Sequence, residues 1–440
     1  MRYEADRVLL SATDLAGHQA CRHLTALELA AARGGLQRPV FHDARLALLV
    51  ERGLLHEAAY VEHLRQKGLT IADLSGTEGA DALERTRRAA AAGADVIVQA
   101  ALERGRWRGR ADVLLREDGK SELGGWLYEV ADTKLARETR GGTVLQLCVY
   151  ADLLEEVQGV PAPRMHVVKP GVDFQPETFR WDDYAAYYRT VRRRVEAAAD
   201  AEPGAESAPE PVEHCEICRW WTVCDERWHR EDHLSLVAGM SRLHADELRR
   251  QGVLTLERLG SSPSPLAEPP QRGRREAYAH LQAQAAVQLR GRPPNPRVHE
   301  LLPPEPGRGL ALLPEPSEGD VYLDFEGDPH VPDGGLEYLL GYAYRDENGA
   351  LAYTGLWALE RAAEKAAFER FVDFVHARLL RHPGLHVYHF APYEPAALKR
   401  LASRHATRER ELDVLLRAQR FIDLHAVVRQ GVRALSLIHI

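Results

Sequence analysis

The stretch from Arg110 to Tyr150 constrains the fold of this chain more than any other part of it. Two extended runs surround Asp112 and Asp132, and the dipeptide Asp118-Gly119 between them is typical of a turn. The two runs are therefore predicted to pair as neighbouring antiparallel strands, with their aspartates facing each other.

The side chains of this predicted hairpin indicate a chemistry. Residues two apart in a strand point to the same face of the sheet, so Asp132 and Lys134 project together toward Asp112. Carboxylates are hard oxygen ligands that suit Mg²⁺ or Mn²⁺, and a lysine beside them can orient a water molecule and help to deprotonate it. The arrangement predicts phosphodiester hydrolysis. Solvated strand ends would explain either aspartate alone, so the prediction depends on the whole set.

A helix is predicted to follow these strands. Gly141-Gly142 is expected to break the chain, and the apolar-rich run from Thr143 to Val157 has the period of a helix. Gln146 and Tyr150 are four residues apart and therefore share one face of this helix. Both are predicted to reach a nucleic-acid strand.

The order of these residues resembles a known nuclease core. The resemblance is to the PD-(D/E)xK core of the RecB-like nucleases, and five residues carry it in chain order: Asp112, Asp132, Lys134, Gln146 and Tyr150. His56, in a helical run predicted from His42 to Lys67, is similar to the upstream metal-binding histidine of that family. The resemblance implies a restriction-endonuclease-like fold, in which helices flank a mixed sheet.

The same resemblance implies a role for each residue of the site. Asp112 and Asp132 would bind the divalent metal together with His56 and the carbonyl group of Thr133. Lys134 would position the attacking water, and the two helix residues named above would contact the nucleic-acid strand. A histidine packed on its own helix is the simpler explanation of His56 taken alone.

The five cysteines are too few for a disulfide framework in a chain of 440 residues. Cys215, Cys218 and Cys224 form a tight group, whereas Cys21 lies far upstream and Cys148 lies inside the predicted helix. Three clustered thiolates need a fourth ligand for tetrahedral coordination, and Cys21 is the available one. Four thiolates make either a structural zinc site or an iron-sulfur site.

The spacing of these cysteines resembles that of a particular cluster. One remote N-terminal cysteine followed by C-x2-C-x5-C is similar to the [4Fe-4S] site of the AddB and CRISPR-associated RecB-like nucleases. As in those proteins, the four residues bracket the nuclease motifs: Cys21, Cys215, Cys218 and Cys224. The resemblance implies a cluster that ties the first helix, predicted from Thr13 to Ala32, to the end of the domain.

The segment after His233 has a different pattern. Short helices joined by glycine turns as far as Leu259 resemble a helix-hairpin-helix element, whose backbone amides can hold phosphates, although a small helical spacer explains the same pattern. Six arginines near a predicted helix from Tyr278 to Leu289 are candidates for phosphate contact. These are Arg272, Arg274, Arg275, Arg290, Arg292 and Arg297.

The last part of the chain, from Gly319 onward, contains a second set of carboxylates. Asp324 and Glu326 are two apart on a predicted strand and share one face, which is how two metal ions are shared in RNase H-like exonucleases. The stretch resembles the DEDD-type exonuclease subdomain found fused to RecB-like nucleases. Where that family has Asn and Asp in its second motif, Glu394 and Asp423 must stand in here.

The final aspartate of the DEDD pattern has no counterpart before Ile440. The resemblance therefore implies an RNase H-like domain that is truncated at the C-terminus and catalytically inactive. The apolar end of the chain after Ala434 is expected to make this domain unstable.

Length and charge limit the remaining choices. The chain is long enough for two to three domains and is predicted to be an α/β multidomain protein: a nuclease domain at 1–232, a small helical linker domain at 233–316 and an RNase H-like domain at 317–440. A formal net charge of −8 argues against a nonspecific polycation. Without a long apolar segment or signal region, the protein is expected to be soluble and cytoplasmic.

The combined prediction is a metal-dependent DNA nuclease. We expect an exonuclease on single-stranded or end-containing DNA in repair, recombination or defence, with a [4Fe-4S] cluster and Mg²⁺ or Mn²⁺ as cofactors. DNA is the expected partner and a helicase is a candidate. One alternative is a noncatalytic nucleic-acid-binding scaffold with a structural metal cluster, and another is an RNase that acts through the C-terminal domain.

Overall fold

A computed structural model describes residues 1–4, 6–40, 44–136, 138–171, 173–201, 207–266, 268–294, 298–331 and 334–435. Three sequence features lie outside these residues: His42, Arg297 and the end of the chain from Ser436 to Ile440. The chain divides into two compact units, Met1–Arg227 and Trp228–Ile440. Within the described ranges, no helix combines the length and the apolar character needed to cross a membrane.

The first unit is a mixed α/β structure. Its elements in chain order are β1 (Arg2–Glu4), β2 (Arg7–Leu9), α1 (Ala12–Ala20), α2 (Arg22–Ala32), α3 (Ala44–Gln66), β3 (Ile71–Asp73), α4 (Gly79–Ala91), β4 (Val96–Arg104), β5 (Trp107–Ser121), β6 (Gly124–Thr133), α5 (Gly141–Gln158), β7 (Arg164–Val168), β8 (Pro176–Arg180), α6 (Trp181–Asp200) and α7 (Trp221–Arg230). A 3₁₀ turn at Glu213–Ile217 precedes α7.

The sheet of this unit has the strand order β3-β4-β5-β6-β7-β8. The pairs β3/β4 and β6/β7 are parallel and the other pairs are antiparallel, so the sheet is mixed, as predicted. Alternate residues of β4 serve different cores: Ile97 packs in the core that contains α5, whereas Val96 and Val98 pack with Tyr60 and Val61 of α3. Both faces of the central strands are therefore covered, which explains their nearly continuous apolar sequence.

The hairpin between β5 and β6 differs from the prediction in its turn. Strand β5 continues past Asp118-Gly119 to Ser121, and the turn lies at Glu122 and Leu123. The prediction was wrong because the ladder continues through an irregularity between Asp118 and Ser121. The N–H of Glu122 donates to the Gln158 carbonyl, and that of Leu123 donates to Ser121 Oγ, so both bonds hold the turn beyond the predicted position.

Two helix predictions also need correction. The helix predicted from Thr13 to Ala32 is two helices, because Cys21 between them has an extended backbone with φ −153° and ψ 114°. Ser11 caps the first of these helices, in a capping box with Asp14. Gly141-Gly142 forms the first turn of α5 and does not break the chain, since the loop after β6 already separates strand from helix.

The second unit contains a group of helices and a five-stranded sheet. Its elements are α8 (Arg242–Arg250), α9 (Leu256–Gly260), α10 (Arg275–Arg290), β9 (His299–Leu301), β10 (Val321–Asp328), β11 (Leu336–Arg345), β12 (Leu351–Trp357), α11 (Arg361–Arg381), β13 (Val387–His389), α12 (Tyr393–His405), α13 (Glu409–Arg417), β14 (Phe421–Asp423), α14 (Leu424–Gly431) and β15 (Val432–Ala434).

The sheet of the second unit has β10 at its centre, in the order β12-β11-β10-β13-β14. Strand β10 is antiparallel to β11 and parallel to β13. Leu323 and Phe325 of β10 pack with Phe371 of α11 in one core, while α8, α9 and α10 share another. Residues that alternate with Leu323 and Phe325 point to the opposite, exposed face of β10.

Candidate active site

Asp112 and Asp132 lie on the adjacent antiparallel strands β5 and β6. The ladder between these strands pairs Val113 with Ala131, and the two aspartates occupy the next position along it. The N–H of Thr133 donates to Asp112 Oδ2 at 3.1 Å, and Thr133 Oγ1 lies 3.4 Å from the same oxygen. The hairpin thus brings the two carboxylates together at one end of a buried ladder.

Lys134 completes an arrangement of two carboxylates and one ammonium group. Its Nζ lies 2.7 Å from Oδ2 of Asp132. Burial and repulsion by Asp112 raise the pKa of Asp132 to about 7, and the Lys134 charge opposes this rise. A cation beside the carboxylates would relieve their repulsion, so their chemistry fits a hard divalent ion.

These carboxylates are only part of a complete ligand set. In the portion of the chain that the structure describes, no group of three or more His, Cys, Asp or Glu side chains is arranged to hold a metal ion. Carbonyl groups and water commonly supply the other ligands of Mg²⁺, which needs few protein carboxylates.

Tyr150 of α5 lies beside the carboxylate pair. Burial raises the pKa of its hydroxyl, and the charges of Asp132 and Asp112 raise it further. The Tyr150 ring lies so close to Gly109 of β5 that a Cβ at this position would meet ring atom Cε1 at 2.6 Å. Gly109 is therefore required for the approach of the ring to the strand.

Gln146, one turn before Tyr150, faces a cavity of about 880 Å³. Arg140 and Thr143 at the start of α5 also line this cavity, and Cys218 lines it too. Gln146 and Tyr150 thus lie along one side of α5, as their spacing predicts, with the cavity near one and the carboxylates near the other.

His56 of α3 has described contacts that differ from those implied by the resemblance. Its Nε2 lies 3.1 Å from the carbonyl oxygen of Val168, and its ring stacks on Phe174 at 5.7 Å between centroids. The N–H of Lys134 donates to the same Val168 carbonyl at 3.0 Å. His56 is therefore linked to the site through Val168, and its role as a metal ligand stays a prediction.

Glu57 and Gln99 belong to this region and were missed from the sequence. Gln99 Nε2 donates to Glu57 Oε1 at 2.5 Å. Burial raises the pKa of Glu57, the Gln99 hydrogen bond opposes this, and Asp112 raises it further. Glu57 could have been included in the predicted site, because it directly follows His56 in the sequence. Gln99 gave none, because its φ of 55° interrupts a strand that reads as continuous.

The four cysteines of the predicted cluster lie in the first unit within electrostatic range of one another, but among the described residues they do not form a group arranged to hold a metal ion. Cys21 occupies the extended break between α1 and α2, Cys215 and Cys218 lie at the 3₁₀ turn, and Cys224 lies in α7. Burial, followed by the charges of the other three thiols, raises the pKa of Cys224 to about 12. Cys148 is fully buried in α5, apart from this group.

The carboxylates of the second unit have different surroundings. Asp324 and Glu326 are both on the exposed face of β10. Glu394 is buried, with Oε2 3.5 Å from Nδ1 of His389. Asp423 Oδ1 accepts hydrogen bonds from three backbone N–H groups, including that of His425 in the first turn of α14.

Family comparisons agree with this division of the chain. A model of the PD-(D/E)XK nuclease superfamily matches residues 13–225, and a model of the RNase H superfamily matches residues 321–440. The chain contains a PD-(D/E)XK nuclease domain and an RNase H superfamily domain. No curated protein matches the sequence. Domains of these two superfamilies typically use divalent metal ions such as Mg²⁺ and act on nucleic acid.

The extent of each match relates to the sites described above. The PD-(D/E)XK domain includes Asp112, Asp132 and Lys134, and its match also spans the four clustered cysteines up to Cys224. The RNase H superfamily domain begins with β10, the strand that carries Asp324. Both domains are of nuclease type, so the chain is assigned to the phosphodiester hydrolases.

Proposed function

We propose that this protein is a RecB-like, metal-dependent DNA nuclease whose catalytic residues are Asp112, Asp132 and Lys134. The observation that carries the proposal is the pair of adjacent carboxylates, with Asp132 buried and Asp112 half-buried, and the Lys134 ammonium 2.7 Å from Asp132. Two adjacent acids of this kind are unfavourable in a purely structural role, because like charges opposite each other destabilise a sheet. Cation binding gives them a function.

The proposed mechanism assigns one task to each residue. Asp112 and Asp132, with the Thr133 carbonyl and His56, would be the protein ligands of Mg²⁺ or Mn²⁺; the ion, when bound, would supply a lower pKa for water and neutralise charge on the phosphate. Lys134 holds the attacking water by hydrogen bonding and favours loss of its proton. Thr133 keeps Asp112 oriented through its N–H bond of 3.1 Å.

The α5 helix is proposed to bind the substrate strand. Tyr150 lies against Gly109 beside the carboxylates, and Gln146 faces the cavity of about 880 Å³. A strand that crosses this side of α5 would pass both residues. Arg140, at the same cavity, would provide a positive charge for a phosphate by exchanging its exposed ion pair with Glu213, at 3.1 Å, for the phosphate.

A cleavage assay tests the proposal. We expect the wild-type protein to degrade end-labelled single-stranded and duplex DNA with Mn²⁺ or Mg²⁺, and Lys134→Ala to lose this activity. Lys120→Ala is the matched control, because Lys120 is exposed near the other end of β5. Full activity of Lys134→Ala would refute the site. Binding without cleavage by wild type would favour the scaffold alternative, and cleavage of RNA alone would favour the RNase alternative.

We further propose that Cys21, Cys215, Cys218 and Cys224 hold a [4Fe-4S] cluster. The extended backbone at Cys21 and the 3₁₀ turn bring thiols from distant parts of the chain into electrostatic range. The N–H of Val212 lies 3.5 Å from Cys215 Sγ, a contact that would stabilise a thiolate. The cluster would serve as a structural link between α1–α2 and α7.

Metal analysis tests this second proposal. Protein purified without oxygen is expected to be brown and to contain iron and sulfide, and Cys21→Ser is expected to lose both colour and stability. Cys148→Ala is the control and should keep the colour, since Cys148 lies apart from the cluster in α5. A colourless protein with bound zinc would refute the iron-sulfur proposal.

The domain boundaries and the wider role are also proposals. Residues 1–232, 233–316 and 317–440 are assigned as three domains, and the separate apolar cores of the helices and of the β10 sheet support the last boundary. Action as an exonuclease on DNA ends, a helicase partner and a role in repair, recombination or defence follow from the RecB-like resemblance. A cytoplasmic location stays a prediction.

A further inference from the structure

A second cavity, of about 430 Å³, lies in the first unit between α3 and the strands β3, β4 and β5. One stripe of α3 forms one wall of this cavity, since its residues recur at helical spacing. That stripe is Leu54, Glu57, Ala58, Val61 and Arg65. The rest of the lining comes from the end of β3 and the turn after it, and from β4 and β5: Asp73, Ser75, Gly76, Val98, Gln99 and Arg110.

Two of the lining residues connect this cavity to the site. Arg110 precedes Asp112 by two residues in β5 and therefore lies on the same face, about 6.6 Å along the strand. The β4–β5 ladder pairs Val98 with Val113 and Ala100 with Ala111, so Gln99 lies opposite Asp112. These two residues are not themselves paired in the ladder. A group bound in the cavity would therefore lie near Asp112, on the side of Gln99 and Arg110, although Asp112 itself is not part of the lining.

The lining favours a flat ring with polar edges. Val61 and Val98 are buried, and with Ala58 they provide an apolar surface. Gln99 and Arg110 provide hydrogen-bonding groups at the edge, and the Arg110 guanidinium is held in place by donating to the Thr77 carbonyl. Cavities of this size with an apolar surface and a few fixed polar groups bind small organic ligands, and a nucleobase has this combination of faces and edges.

A second observation points to the same wall. Gln99 has a φ of 55°, which is a left-handed conformation that side-chain-bearing residues rarely adopt within a strand. Such backbone persists where the surroundings hold it, and it is concentrated at binding and catalytic sites. Here the bond from Gln99 Nε2 to Glu57 fixes the side chain at the cavity wall.

We propose that this cavity holds one unpaired base of the nucleic-acid strand, next to the bond that is cleaved. A base can enter it only when it is free of its partner, because a base inside a duplex is held by pairing and stacking and cannot reach a pocket in the protein. The substrate class is therefore single-stranded nucleic acid or a frayed end. This inference rests on the proposed nuclease function.

Two neighbouring leucines provide a matched test. Leu54 and Leu55 are each 63% exposed on α3, but only Leu54 lines the cavity. Leu54→Asp places a carboxylate at the base site, and Leu55→Asp makes the same change of charge outside it. Because stacking of one base contributes substantially to single-strand affinity, we expect Leu54→Asp to weaken binding about tenfold and Leu55→Asp to leave it unchanged.

Binding is measured with Ca²⁺ by fluorescence anisotropy, using the full chain with a single-stranded DNA, a single-stranded RNA and a blunt duplex. A loss confined to Leu54→Asp and to single strands supports the cavity, and the DNA and RNA arms show which sugar is accepted. Equal affinities of the two variants, or an equal loss on the blunt duplex, would overturn it. If the two variants differ in binding as expected but the wild-type protein cleaves no substrate with any metal ion, the nuclease function is refuted and the base-binding site is supported.

Discussion

Replacing Asp132 by asparagine should stabilise the metal-free protein while abolishing cleavage. Asp132 is buried next to Asp112, and both effects raise the pKa of its carboxyl group to about 7. A folded-state pKa above the unfolded value means that the folded protein holds the proton more tightly. The contribution of Asp132 to the free energy of unfolding is therefore greatest at low pH, and it is lost as pH rises from about 4 to about 7. Asparagine cannot ionise and escapes this loss.

The size of the effect follows from the two pKa values. A pKa of about 7 in place of the ordinary 3.8 means that ionising this carboxyl group costs about 4 kcal/mol more in the folded protein than in the unfolded chain. Between about pH 5.5 and about pH 8 the unfolded carboxyl group is ionised throughout, whereas the folded one ionises only near neutrality. The advantage of Asp132→Asn should therefore grow by about 2 kcal/mol over this range.

Amide hydrogen exchange of peptides from β5 and β6, in the presence of EDTA, measures the free energy of opening for this hairpin alone. Asp118→Asn is the control, since Asp118 is an exposed residue of β5 in the same hairpin. Added Mg²⁺ should then protect wild type more than Asp132→Asn. If the difference between wild type and Asp132→Asn is the same at both pH values, the argument from carboxylate repulsion is wrong.

Two further predictions concern the ring beside the site and the second unit. Gly109→Ala should destabilise the first unit by about 1–3 kcal/mol and lower cleavage, because the new Cβ would meet the Tyr150 ring at 2.6 Å. Gly125→Ala is the control, because its new Cβ would meet nothing within 4 Å. In melting and cleavage assays the control should change neither stability nor activity appreciably. Asp324→Ala should leave cleavage intact, and a nuclease activity that survives Lys134→Ala but is lost in Asp324→Ala would contradict a silent second unit.

The sequence was sufficient for the elements that depend on local pattern. The antiparallel pairing that sets Asp112 beside Asp132 follows from two extended runs close in sequence, and the face shared by Gln146 and Tyr150 follows from helical spacing. The mixed sheet was likewise expected. These features depend on neighbours within a few tens of residues, where periodicity carries most of the information.

The features that were missed depend on tertiary contacts. The hairpin turn moved beyond Asp118 because Glu122 bonds to the end of α5, a contact that no local pattern reports. Gln99 has a backbone conformation that its sequence does not suggest, and its bond to Glu57 joins β4 to α3. The surroundings of His56 were also unpredictable, because Phe174 comes from a loop more than one hundred residues later.

The extended residue between α1 and α2 has a consequence for biosynthesis. Cys21 leaves the ribosome almost two hundred residues before the residues it faces, which run from the 3₁₀ turn to α7 and are made last in this unit. Glu28 of α2 likewise accepts its bond from Trp220 Nε1, at 2.8 Å. The first two helices therefore lack these contacts until the whole sheet has been synthesised. The unit can close only after translation has passed Cys224, so a stalled shorter chain would expose the unfinished side of α2 to chaperones and proteases.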